Sequence, residues 1–191
     1  MGGKKMKENF LSYLRHHYIP YCVFSAFAIL SVTIAATYLG KTKDTEKIDI
    51  FLVTENFERE KFIKRLEEIK PDYLKELNYR YVSPNDNTFF QILGTYGVVE
   101  ADLFFLRKST LKTIECSAMM LPLRKEIIEK TFAKSLSYYE DEGKTYGIAL
   151  NDELFSDEEK VYACFNKDSL HLGDWNKQEL NGDIEVVRAF L

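Results

Sequence analysis

Residues that catalytic and metal sites commonly require are scarce in this sequence. Only one of its three histidines, His171, lies beyond residue 40, which excludes a histidine-rich metal centre in that part of the chain. Neither phosphate-binding motif, G-x-x-x-x-G-K-[ST] or G-x-G-x-x-G, occurs. The acidic stretches at residues 141–142 and 157–159 lack the alternating spacing of a calcium-binding EF-hand loop. We therefore assign no catalytic residue, no metal site and no cofactor, and expect a protein that is not an enzyme.

Cysteine is also rare, with one residue, Cys22, in an apolar run and two, Cys116 and Cys164, beyond it. Two cysteines in an outward-facing domain permit a disulfide, but buried free thiols also behave as small apolar residues. Either thiol paired with His171 would give a nucleophile and a base. Because no catalytic motif surrounds either cysteine, a structural role is favoured for both.

A net positive charge is found only at the start of the chain. The net charge is −4, which divides into +3 for residues 1–40 and −7 for the remainder. An acidic domain argues against nucleic-acid binding, which needs a basic patch. A basic N-terminal segment argues for a cytoplasmic N-terminus by the positive-inside rule.

Formal charge is absent altogether between Arg15 and Lys41. The run of residues 16–40 is long enough to cross a bilayer, for which about 20 apolar residues suffice. A cleaved signal has a shorter apolar region of about 7–15 residues, so an uncleaved anchor is favoured, although residues 33–36 resemble a weak cleavage site. This predicts a cytoplasmic basic stub (1–15), a transmembrane helix in the lipid bilayer (16–40), a linker (41–47) and an extracellular domain (48–191), on a single-pass protein of the cell membrane.

The outer domain alternates short apolar runs with amphipathic ones. Runs that are apolar at every position are typical of strands buried on both faces. We predict strands at residues 48–54, 79–82, 103–106, 144–150 and 161–165, and helices at 58–69, 88–98, 109–120, 121–136 and 184–191. Ser109 or Thr110 would cap the third helix and Asp183 the last. The order predicts an α/β fold with a mostly parallel open sheet and helices on both faces.

Two short motifs carry a resemblance to a known family. The stretch DEGKTYGIAL at residues 141–150, and VYACFNKD at 161–168, resemble strands of the extracellular ABC-type (type II periplasmic) solute-binding proteins. The resemblance implies one lobe of that two-lobed fold, since the sequence ends where a full family member would continue into its second lobe. Because those receptors clamp the ligand between lobes, one lobe is expected to offer half a site.

Ligands of open α/β sheets bind beyond the carboxyl ends of the strands. The candidate ligand- or partner-binding residues there are Glu55, Asn56, Asn85, Asp86, Arg107, Lys108 and Ser109. The two cations next to a helix start favour an anion or a carboxylate partner, although each residue alone could be an exposed charge or a cap. Trp175, the only tryptophan, is a candidate for stacking on a sugar ring.

These features predict a membrane-anchored extracellular binding or interaction domain that docks a membrane-protein partner or a second copy of itself. The alternative is a receptor for a small ligand, a sugar or an anion, that is completed by dimerisation and associated with an ABC transporter.

Overall fold

The computed structural model describes residues 12–13, 15–16, 18–39, 41–151, 153–155 and 158–191. The chain forms two compact units, Met1–Lys41 and Thr42–Leu191. Most of the predicted basic stub, residues 1–11 and 14, lies outside the described residues.

The first unit contains one long helix, α1 (Ile19–Leu39). Its 21 residues correspond to a length of about 31 Å at 1.5 Å per residue. The span Ile19–Ala36 is apolar and exposed along its whole length. The hydroxyl of Thr33 donates to the carbonyl of Ile29 at 2.8 Å, which satisfies it within the helix. The helix is thus long and apolar enough to span a membrane, as predicted.

The second unit is built on a six-stranded sheet of order β2-β1-β3-β6-β5-β4. The strands are β1 (Lys47–Val53), β2 (Glu76–Val82), β3 (Leu103–Arg107), β4 (Tyr138–Asp141), β5 (Lys144–Ala149) and β6 (Val161–Phe165). β1 pairs in parallel with β2 and β3, whereas β3–β6, β6–β5 and β5–β4 are antiparallel. The fold is α/β with a mixed sheet, so the prediction of a mostly parallel sheet was wrong. Burial on both faces fixes the apolar pattern of a strand but not its direction. The two-residue connection between β4 and β5 requires an antiparallel pair.

One strand, β4, was missed by the sequence analysis. It forms a tight hairpin with β5 through Glu142 and Gly143, whose φ angles are 48° and 75°. Positive φ at both central residues is the geometry of a type I′ hairpin turn, which glycine favours at the second position. The glycine after two acidic residues was therefore a usable hairpin signal.

Six further helices, α2 to α7, accompany the strands among the described residues. Those of the second unit are α2 (Arg59–Ile69), α3 (Phe89–Ile92, a π-helical turn Leu93–Gly97, then Val98–Glu100), α4 (Lys108–Leu111), α5 (Cys116–Met119), α6 (Lys125–Phe132) and α7 (Gly182–Phe190). Short 3-10 turns lie at Asp44–Glu46 and Gly173–Trp175.

Three helix predictions need correction. The segment 109–120 forms two short helices, and neither Ser109 nor Thr110 caps α4, whose N-cap position is Arg107. The predicted helix 121–136 is confined to α6, because Leu123 bridges to β5 before it and Ala133 ends it in the left-handed conformation at φ 51°. Asp183 lies inside α7 and is not its cap; the N-cap position is Asn181.

Helices cover both faces of the sheet, and each face has its own core. Alternate residues of β1 and β3 explain why their runs are apolar throughout: Ile50 and Phe105 join one core, Phe51 and Phe104 the other. The first core also contains residues of α2, α6 and α7, and the second contains residues of α3 and α5. Cys116 and Cys164 are free and buried in the second core, as expected of structural thiols.

Candidate functional site

The carboxyl ends of β1 and β3 meet in an ion-pair cluster, Glu55–Arg107–Glu159. The guanidinium of Arg107 binds Glu55 Oε1 through Nη1 and lies 3.4 Å from Glu159 Oε1 through Nη2. The Arg107 side chain is only 10 % exposed, whereas Glu55 is 39 % exposed and Glu159 36 %. Arg107 was predicted to bind an anionic partner, but two carboxylates of the same chain already bind it.

Glu159 also satisfies the start of α4. Its Oε2 accepts a hydrogen bond from the backbone N–H of Ser109 at 2.8 Å. Burial alone would raise the pKa of Glu159, but the hydrogen bonds from Ser109 and the neighbouring Arg107 outweigh it and hold the pKa below its ordinary value. Lys108 is exposed beside this cluster, and its backbone N–H donates to the carbonyl of Lys160 at 3.3 Å.

The other predicted strand-end residues make local bonds. The carbonyl of Asn56 accepts from the hydroxyl of Thr54 at 3.3 Å. Asn85 donates its N–H to Ser83 Oγ at 3.4 Å. Asp86 accepts both the N–H and the hydroxyl of Thr88, at 2.8 and 2.7 Å, and these bonds lower its pKa. The structure thus gathers Glu55 and Glu159 around Arg107, with Ser109 bound to Glu159.

Trp175 lies elsewhere, in the 3-10 turn that follows β6. Its indole N–H donates to the hydroxyl of Thr131 at 3.3 Å. Its ring packs edge-on against Phe165 and Phe132, with centroids 4.9 and 5.9 Å apart. The half-buried indole joins α6 to the sheet and keeps one part at the surface.

A groove runs beside Trp175 between α6, the 3-10 turn and α7. Its volume is about 710 Å³, and its lining includes Lys130, Thr131, Trp175 and Arg188. A smaller pocket of about 200 Å³ shares Ile127 and Trp175 with it and adds apolar side chains from residues 121–128. The combination of an indole, aliphatic groups and charges of both signs suits a small polar ligand with an apolar face. Apart from Trp175, these residues carry no local sequence signal of a site, because the spacing within α6 shows only an amphipathic helix.

A second polar centre lies at the opposite ends of β1 and β3, where Ser169 joins two acids. Ser169 Oγ is 2.9 Å from Asp102 Oδ1 and 2.7 Å from Asp183 Oδ2, and it accepts the N–H of His171 at 3.1 Å. Asp183 is fully buried, and its Oδ1 has no hydrogen-bond partner among the described residues. Burial, reinforced by the other carboxyl, raises the pKa of Asp183, and burial raises that of Asp102.

His171 is buried beside this pair and is engaged through both ring nitrogens. Nε2 lies 3.0 Å from the carbonyl of Asp44, and Nδ1 lies 3.3 Å from the hydroxyl of Tyr73. Since a carbonyl can only accept, Nε2 carries the proton, and in the neutral ring Nδ1 accepts from Tyr73.

Burial raises the pKa of Cys116 to about 11 and raises that of Cys164 as well. Both thiols are therefore protonated at neutral pH, which disfavours the nucleophilic role considered above.

Comparison with protein-family models, with curated proteins and with solved structures found no match to this chain.

Proposed function

We propose that the protein is a membrane-tethered binding domain that takes a small polar ligand in the groove beside Trp175. The observation that carries the proposal is the groove itself, whose roughly 710 Å³ falls within the range of small-molecule sites. The charge content of its wall supports a polar ligand, since Lys130 and Arg188 face it together with acidic residues. The strand-end cluster supports such a role less well, because Arg107 is already held by two carboxylates.

The proposed location places the second unit outside the cell. The apolar α1 supports membrane attachment, and the basic charge of residues 1–15 favours a cytoplasmic N-terminus. The motifs at residues 141–150 and 161–168 support the further proposal of a solute-binding-protein-like lobe that works beside a transporter.

The chain's single tryptophan gives a direct test of the groove. We expect a sugar, an amino acid or an inorganic anion, titrated onto the full-length protein in detergent, to change the Trp175 emission saturably. The variant Lys130→Ala should weaken that ligand about tenfold, the loss of one charge-assisted contact of about 1.4 kcal/mol. Lys64→Ala, an exposed lysine on α2 outside the groove, is the matched control and should bind normally. Constant emission across all three ligand classes would contradict the proposal.

A second candidate function is docking of another protein chain. It is favoured by β2, which lies at one end of the sheet and pairs with β1 on one side. An open strand edge is a common site for adding a strand from another chain.

A further inference from the structure

The two edges of the sheet differ in how well they are protected against pairing. β4, at one edge, has four residues and a register shift between Tyr139 and Glu140. β2, at the other edge, has seven residues in continuous register with β1 from Lys47↔Glu76 to Val53↔Val82. Short or irregular edge strands resist pairing with another chain, whereas long regular ones invite it. In the part of the chain that the structure describes, no strand covers the outer side of β2.

The backbone of β1 shows which of its residues face β2. The carbonyl of Asp49 accepts from the N–H of Asp102 at 2.8 Å, and the N–H of Asp49 donates to the Asp102 carboxylate at 2.9 Å. Both backbone groups of Asp49 therefore point toward the β3 side. Since successive residues of a strand point to opposite sides, the backbone of Ile50 faces β2.

The same geometry identifies the outward groups of β2. Ile50 lies opposite Tyr79, and a residue in a parallel ladder bonds to the two residues that flank its opposite, here Asn78 and Arg80. The N–H and C=O groups of Leu77 and Tyr79 consequently point away from the sheet. They are the groups that an added strand would bind.

The side chains of β2 form a polar row on one face. Glu76, Asn78 and Arg80 are exposed and alternate along the strand. Asn78 Nδ2 donates to Glu76 Oε2 at 3.3 Å, and the guanidinium of Arg80 lies 4.9 Å from the ring centre of Tyr96. Glu76 and Arg80 thus lie at equal distances on either side of Asn78. When a second copy of the strand runs in the opposite direction, each Glu76 faces an Arg80, so the row is complementary to itself.

On the other face, Leu77 and Tyr79 are half-buried and pack against the first core. Each leaves part of its apolar surface at the open edge. A reversed copy of the strand would place Leu77 opposite Tyr79 and extend that apolar layer across the edge.

We propose that two copies of this chain pair through β2, antiparallel, with a two-fold axis at Asn78. Glu76 of each copy then lies opposite Arg80 of the other, and the two Asn78 side chains face each other. Leu77 and Tyr79 form the hydrogen-bonded pairs, which join the two sheets edge to edge. A shared patch related by a two-fold axis is the commonest form of homodimer interface. The inference rests on the proposed membrane tether in one respect, since confinement to a surface raises the effective concentration of the two copies.

Cysteine cross-linking of the full-length chain in membranes tests the pairing and its register. Asn78→Cys, in a Cys22→Ala background, places two thiols at a non-hydrogen-bonded pair, about 4.5 Å apart between Cα atoms and within disulfide reach. We expect mild oxidation to convert most of this variant into a disulfide-linked dimer. Cys116 and Cys164 stay in place because they are buried.

Two single variants provide the controls. Glu76→Cys and Arg80→Cys each lie about 13 Å from their own counterpart in the dimer, four residues along the strand, and should not cross-link alone. Coexpressed, they should cross-link to each other, because Glu76 faces Arg80 across the axis.

Absence of a dimer in Asn78→Cys, or equal cross-linking of all three single variants, would overturn the proposal. Either result would leave the Trp175 titration unaffected, since that test reports on the groove and requires no second copy. A failed titration with the expected cross-linking pattern would instead reject the ligand and retain the dimer.

Discussion

Ser169 has one hydroxyl proton and two carboxylates within hydrogen-bond distance. It can donate to only one of them, so the short contact to the other requires a protonated carboxyl that donates to Ser169 Oγ. Asp183 suits that role, because it is fully buried and its Oδ1 has no partner among the residues described here. The titratable groups nearby are the His171 ring, which lowers the pKa of Asp102, and Asp49, which pairs with Lys47 at 3.2 Å. The pair thus keeps one proton in the folded protein that the unfolded chain releases at neutral pH.

This proton makes stability depend on pH with a definite sign. The pKa of Asp183 is higher in the folded protein than in the unfolded chain. Its contribution to the free energy of unfolding is therefore full below about pH 4, the ordinary carboxyl pKa. That contribution declines as the pH rises toward the pKa of Asp183 in the folded protein. The expected slope for one proton is about 1.4 kcal/mol of unfolding free energy per pH unit. Asp183→Asn, whose amide can still donate to Ser169, should remove this decline between pH 5 and 8 in denaturant unfolding of the full-length protein in detergent.

Asp86→Asn is the control for that measurement. Asp86 is exposed and its pKa is lowered by Thr88, so its contribution is lost only as the pH falls through the acidic range. The Asp86→Asn variant should leave the slope of unfolding free energy against pH unchanged above pH 5. An unaltered slope in Asp183→Asn would show that the retained proton lies elsewhere.

At the scale of elements, the strands were easier to predict than their arrangement. β3 and β6 are apolar at nearly every position, and β1 is apolar from Ile50 onward, because these strands are buried on both faces. β4 alternates in burial and is only four residues long, so its signal lay in the hairpin turn. Strand order depends on contacts between residues far apart in the chain, such as Phe104 with Cys164, which no local pattern encodes.

In the candidate site, too, the parts set by local sequence could be predicted, whereas those set by contacts between distant residues could not. The carboxyl ends of β1 and β3 were predicted to bring polar residues together, and Glu55 and Arg107 do meet there. The third member of the cluster, Glu159, comes from the acidic stretch 157–159, about 50 residues later in the chain, and nothing in the local sequence links it to Arg107. The groove beside Trp175 is made by α6 and α7, whose contact is a tertiary one.

Close packing of β5 between its neighbours gives an element-level prediction. A Cβ at Gly147 would lie 3.0 Å from Tyr162 Cβ, 3.1 Å from Cys164 Sγ and 3.2 Å from Tyr139 Cβ. Two of these atoms are fixed to adjacent strands and cannot move without the backbone. We expect Gly147→Ala to lower the free energy of unfolding by about 1–3 kcal/mol, measured by denaturant unfolding.

Gly94→Ala is the matched control, since a Cβ there meets no atom within 4 Å. It lies in α3, where alanine is favoured over glycine by about 0.5–1 kcal/mol. The control should therefore be neutral or stabilising. A Gly147→Ala variant as stable as the original chain would mean that the strands can separate to admit a methyl group.

For the whole molecule, the proposed attachment to the membrane rests on α1, the one helix among the described residues that is long and apolar enough to span a bilayer. Ile29 is 69 % exposed and lies near the middle of the span. A charged residue at the centre of a transmembrane helix costs about 2.5–3.5 kcal/mol on insertion scales. We expect Ile29→Arg combined with Val32→Arg to shift much of the protein from the membrane pellet to the supernatant after an alkaline wash.

The corresponding Leu substitutions, Ile29→Leu with Val32→Leu, should leave the protein in the pellet. Full retention of the arginine variant would indicate that the second unit binds the membrane by itself. In that case the tether would not be the sole source of attachment.

The position of β6 has a consequence for how the chain folds during synthesis. β6 is the last strand to be made, yet it lies between β3 and β5 near the centre of the sheet. Until residue 165 has been made, β1–β3 and the β4–β5 hairpin cannot join, and the inner edges of β3 and β5 stay open. Pairings over such long sequence separations form slowly, and open apolar edges favour aggregation. The segment that begins with β6 therefore decides whether the nascent domain closes, and a chain truncated before β6 should aggregate rather than fold as a smaller sheet.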